Sequence, residues 1–90
     1  MQHLYRDVPG LGTVVFSRHA QDQVAKAGIS EEVVKEVLLA PTRPDRSDGG
    51  DIVWREGRGI RLVILTNPTP NTGSKLVKTV YRVQAQFRVR

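Results

Sequence analysis

His19 is the residue of this chain best suited to move a proton. It follows Ser17 by two positions, just past the β-branched and aromatic run Thr13-Val14-Val15-Phe16. Imidazole is the side chain that exchanges protons most readily near neutral pH. His3, the other histidine, lies in a weakly patterned terminus that offers no comparable setting. Lys78 and Arg82 stand four residues apart on one face of a predicted strand, where cations suit an anionic phosphate transition state. Thr79 and Tyr81 alternate with them and are expected to face the core. Trp54, the only tryptophan, is expected to pack, with base stacking as the alternative.

Other chemistries find less support. The absence of cysteine excludes a thiol nucleophile, a thiolate metal site and a disulfide scaffold. Glu31, Glu32 and Glu36 fit a capped, solvated helix, and Asp48 and Asp51 flank a Gly-Gly turn. No His and carboxylate spacing resembles a metal site, so neither metal nor cofactor is expected. Gly57-Arg58-Gly59 is too short to cradle a phosphate and reads as a turn. No Ser-His-Asp set can be assembled from spacing. No apolar run approaches the roughly 20 residues that cross a bilayer, so no membrane contact is expected.

The formal net charge is +5 and the pI about 10.2. Residues 1–45 carry five Lys/Arg against six acids, whereas residues 46–90 carry nine against three. A basic half of this kind is an electrostatic footprint for a polyanion, nucleic acid above all.

The elements that must position these groups fit one domain over residues 1–90, with a core of about 13–83. Ser17 caps a helix over 18–27, and Gly28 stops it. Ser30 opens a second helix to Leu39, with Val33, Val34, Val37 and Leu38 as its apolar face and Pro41 as its stop. Strands are predicted over 13–16, 51–56, 60–66 and 75–83, with a hairpin turn at 57–59. The order β-α-α-β-β-β predicts an α+β fold, two N-terminal helices packed on a three- to four-stranded antiparallel sheet. Val33, Val37, Leu38, Leu62, Ile64, Val77 and Tyr81 are the expected core. Alternation runs on from Val77 to Arg90, which predicts a bulge or bend near Gln84. Lys78, Arg82 and Arg88 then share one exposed basic face.

Phe16-Ser17-Arg18-His19-Ala20, followed by Ala27-Gly28-Ile29-Ser30 and Glu31-Glu32-Val33, resembles the opening of small bacterial domains related to the RelE and ParE toxins. Leu76-Val77-Lys78-Thr79-Val80-Tyr81 is similar to their closing strand. The resemblance spans about residues 14–83 and extends to the superfamily that joins barnase, EndoU, colicin and RelE-type nucleases. It implies a metal-independent endoribonuclease in which a 2′-hydroxyl attacks the adjacent phosphate. His19 is then the acid or base, Lys78 a phosphate-facing cation, and Thr79 and Tyr81 strand residues near the site. RNA contacts fall to Arg18, Arg58, Arg82 and Arg88. The implied partners are RNA (tRNA, message or ribosome) and a cognate antitoxin or immunity protein. Action is expected in the cytoplasm, directly or after delivery as part of a larger secreted protein. Gln23 and Ala27 depart from the pattern, which has arginine at both positions. The alternative is therefore a non-catalytic relative that binds nucleic acid or a protein through its basic sheet face.

Overall fold

The computed structural model describes residues 1–67 and 73–83. Helix α1, Arg18–Ala27, starts where Ser17 Oγ accepts the amide of Ala20 at 3.0 Å. It ends at Gly28, whose φ of 67° is a left-handed conformation that costs glycine little. Helix α2, Glu31–Leu39, starts where Ser30 Oγ accepts the amide of Val33 at 3.2 Å. Glu31 and Glu32 in its first turn meet the positive end of the helix dipole. Ala40 closes it ahead of Pro41, which disfavours a helical residue before itself.

Six strands complete the described fold: β1 Leu4–Val8, β2 Gly12–Phe16, β3 Arg46–Ser47, β4 Ile52–Gly57, β5 Ile60–Leu65 and β6 Lys75–Arg82. They form one sheet in the order β1-β2-β6-β5-β4-β3. The β4–β5 hairpin closes through Arg58-Gly59, both at positive φ (51° and 79°), the turn geometry that matches strand twist.

This corrects the expected three- to four-stranded antiparallel sheet. The sheet has six strands and is mixed, because β2 pairs with β6 in parallel through Val14↔Lys75, Val15↔Leu76 and Phe16↔Val77. The helices do not open the chain; the β1–β2 hairpin precedes them. Strand β1 escaped the period-two pattern because Asp7 takes φ 56° and shifts the register between Tyr5 and Val8. Its two buried residues are therefore three apart rather than two. Tyr5, Val8 and Leu11 carry the core N-terminal to the expected 13–83.

Both helices cover one face of the sheet. Ala20 and Val24 of α1 and Val34, Val37 and Leu38 of α2 pack with Val14, Phe16, Leu62, Ile64, Val77 and Val80. Each large apolar side chain so buried contributes about 1.5–3 kcal/mol. Val33 is only partly buried at the edge of this cluster.

A single irregularity in β6 decides which residues reach that core. Val63 pairs with Thr79, but Ile64 pairs with Val77, so Lys78 is an extra residue in the strand. Such a bulge shifts the alternation by one. Val77 and Val80, three apart, are both fully buried, and Tyr81 is 38% exposed. This corrects the expected burial of Tyr81. The bend foreseen near Gln84, and Arg88 with it, lie outside the described residues.

One buried cation ties the loops to the sheet. Arg55 is 3% exposed. Its guanidinium donates to Asp45 (2.9 and 2.7 Å), to the Leu38 carbonyl (2.6 Å) and to the Pro9 carbonyl (2.8 Å). The end of α2, the β1–β2 turn and the segment before β3 thus share one anchor. No helix among the described residues is long and apolar enough to cross a membrane.

Candidate functional site

Strand β2 hands the chain to α1 directly beside β6. The Ser17 amide donates to the Val77 carbonyl at 3.0 Å, and Ser17 Oγ donates to the Lys78 carbonyl at 3.2 Å. Ser17 thus caps the helix and pins it to the bulge. Strand β2 pairs with β6 only as far as Val77. Beyond that point α1 takes over the edge. The side-chain oxygen of Gln23 accepts the Val80 amide at 2.9 Å and the Thr79 hydroxyl. Further along, Arg82 Nη2 donates to the Ala27 carbonyl at 3.0 Å. Helix and strand run side by side in the same direction.

This arrangement locates His19. It precedes Gln23 by four residues, so the two share a stripe of the helix. Gln23 is anchored at Thr79 and Val80, so His19 stands one turn back, toward the end of the helix that Ser17 ties to the Lys78 carbonyl. Both His19 and Lys78 are exposed, as is Arg18 on the same first turn. The amides of Arg18 and His19 belong to the first turn, where backbone donors have no intrahelical acceptor and attract anions. Neither Arg18 nor Lys78 forms an ion pair among the described residues. An exposed imidazole, two cations without an ion pair among the described residues and a helix N-terminus thus belong to the segments that meet at one end of the α1–β6 junction.

The remaining expected site residues do not join them. The Thr79 hydroxyl is engaged by Gln23. Tyr81 lies on the opposite face of the sheet, where its hydroxyl accepts Arg61 Nη1 at 2.8 Å. Arg58 is paired with Glu36 at 2.7 Å, across the β4–β5 turn from α2. Arg82 is at the far end of α1. Eight helical residues separate His19 from Ala27, about 12 Å, and four strand residues separate Lys78 from Arg82, about 13 Å. One phosphate cannot touch both ends.

Of the two positions where the resemblance implies arginine, only Gln23 has a visible side-chain role. Gln23, a neutral amide, satisfies an edge amide of β6 where arginine would add charge. At the other departure, the backbone carbonyl of Ala27 receives Arg82.

Sequence reasoning singled out neither Arg46 nor Arg61, which lie on the helix-free face. They line a cleft of about 120 Å³ with Trp54 and Glu56. Glu56 is 7% exposed and ion-paired to Arg61 and, at 3.6 Å, to Arg43. Arg61 is held above its ordinary pKa chiefly by its hydrogen bond to Tyr81; burial lowers it, and Glu56 adds a further rise. The usable signal was strand alternation, which sets Trp54 and Glu56 of β4 and Arg61 of β5 on one face. Among the described residues no group of three or more His, Asp or Glu converges as a metal site. Comparison with protein-family models, with curated proteins and with solved structures finds no match.

Proposed function

We propose that the chain is a metal-independent endoribonuclease whose site is the α1–β6 junction. The reading is carried by one observation: Ser17 caps α1 and bonds the Lys78 carbonyl, which ties the helical turn carrying His19 to strand β6 at Lys78. His19 takes the 2′-hydroxyl proton as that oxygen attacks the adjacent phosphorus. The bond from phosphorus to the 5′-oxygen breaks, and that oxygen takes a proton from a water that is in turn reprotonated by His19. The products are a cyclic phosphate end and a 5′-hydroxyl end. Lys78 and the first-turn amides stabilise the charge that builds on the phosphoryl oxygens. Arg18 and Arg82 hold the strand on either side. Action on RNA would take place in the cytoplasm, and an antitoxin or immunity protein would cover this junction with acidic groups.

A second reading is binding to RNA without cleavage. Gln23 favours it, because a neutral amide stands where the toxin pattern has a cation and occupies the Thr79 hydroxyl.

Total RNA incubated with wild type, His19→Ala and Lys78→Ala separates the two. The nuclease reading expects His19→Ala to slow cleavage about 10²–10⁴-fold, with affinity nearly unchanged. Lys78→Ala should lower both rate and affinity. Affinity should fall steeply with salt as phosphate contacts release counterions. Cleavage that survives His19→Ala would sink the assignment, and binding with no cleavage by wild type would select the second reading.

A further inference from the structure

The helix-free face of the sheet carries a site that the junction does not use. Strand registers order its residues. Thr79, Val63, Trp54 and Arg46 oppose one another across β6, β5, β4 and β3. Tyr81, Arg61 and Glu56 form the next row across β6, β5 and β4. Val63 is buried yet belongs to no part of the helix-side core, which fixes these rows on the opposite face.

Both aromatic residues of these rows keep accessible surface. Trp54 is half-buried at the wall of the cleft, and Tyr81 is 38% exposed. Arg61 lies between them, its guanidinium 5.6 Å from the Tyr81 ring centroid. Glu56 holds that guanidinium in place through its Nε. Arg46, directly opposite Trp54, has no acidic partner among the described residues. Arg43 and Arg61 thus share the one carboxylate and Arg46 lines the same cleft, leaving this end of the face positive. Asp48 and Asp51 lie at the other end of β4, in the turn before it.

Flat aromatic side chains interleaved with arginines match bases and phosphates in alternation. From Trp54 to Tyr81 is two strand spacings across and two residues along, about 12 Å. One flexible strand can reach both rings. Bases within a duplex cannot, because they are stacked on each other.

We propose that this face is a second binding site, a platform for single-stranded nucleic acid. Trp54 and Tyr81 stack bases, while Arg46 and Arg61 contact the phosphates between them. The platform shares with the junction only its class of ligand and stands whether or not His19 cleaves RNA.

Trp54 is the only tryptophan, so intrinsic fluorescence reports this site directly. The full chain carrying His19→Ala is titrated with 12-nucleotide oligo(U) and oligo(A), and binding is followed both by tryptophan fluorescence and by anisotropy of the labelled oligonucleotide. Saturable quenching is expected, weakened by salt and retained in a further Lys78→Ala variant, whose loss of affinity is confined to the unquenched component seen by anisotropy. Trp54→Leu and Tyr81→Leu should each weaken binding about 5- to 100-fold, and Trp54→Phe should restore it. Arg46→Ala should flatten the salt dependence by about 0.7 in log–log slope. Binding that Lys78→Ala abolishes, without quenching and without response to Trp54→Leu, would overturn the platform and leave the junction standing. Quenching by dextran sulfate equal to that by oligonucleotide would reduce the face to charge alone and overturn stacking. Self-association abolished by Trp54→Leu, with no oligonucleotide bound, would assign the face to a second copy. No binding by either readout would remove both sites.

Discussion

The side-chain oxygen of Gln23 accepts the backbone amide of Val80 at 2.9 Å, closing from the helix an edge that no strand pairs among the described residues. Sheet edges left open carry unpaired donors, and a partly buried donor without an acceptor costs about 1–3 kcal/mol. Gln23→Leu should therefore destabilise the chain by about that amount and lower Tm by about 4–8 °C per kcal/mol. A melt followed by circular dichroism measures it. An unchanged Tm would show that water replaces the amide at no cost.

Ser17 and Ser30 both cap helices, but only Ser17 also bonds a strand carbonyl. Loss of a cap costs about 1 kcal/mol. Ser17→Ala should cost more than Ser30→Ala, by the added bond to Lys78. Urea denaturation of the two variants makes the comparison. On the proposed nuclease reading, Ser17→Ala should also lower RNA cleavage, because it frees the turn that carries His19.

Asp45→Ala leaves Arg55 buried without its counter-ion. Breaking a fully buried pair costs about 3–5 kcal/mol. Asp45 is 30% exposed at the side chain, and two backbone carbonyls remain on the guanidinium. A loss of about 2 kcal/mol is expected after discounting for that exposure. A loss below about 0.5 kcal/mol in urea would show that the carbonyls alone hold the cation.

Tyr5 ties stability to alkaline pH. Burial first, then the charge of Glu31 and its hydrogen bond, raise the phenol above its ordinary 10.0. The folded chain keeps this proton after the unfolded chain has released it. Stability should be level with respect to this group below pH 10.0 and fall as pH rises through the window up to the raised folded value. Urea midpoints across that range should show the fall, and Tyr5→Phe should flatten it. A wild-type profile identical to that of Tyr5→Phe would contradict the assignment.

The helices were legible in the chain because their signals are local. Ser17 and Gly28, and Ser30 and Pro41, lie within a turn of the ends they set, and the Arg58-Gly59 hairpin is equally self-contained. The neighbourhood of His19 was partly legible for the same reason, since a cap at Ser17 fixes the first turn of α1. What tertiary structure alone decided was nonlocal pairing. Nothing within 12–16 announces a parallel partner at 75–77. Nothing in alternating 75–82 announces that one residue, Lys78, would be left over against β5. That extra residue follows from how two strands meet, and it inverts every side chain beyond it. It buries Val80, turns Tyr81 to the helix-free face beside Arg61, and leaves Lys78 exposed. Asp7 has the same effect in β1. Period-two reading assumes an unbroken strand, and β1 and β6 are each broken by a register shift.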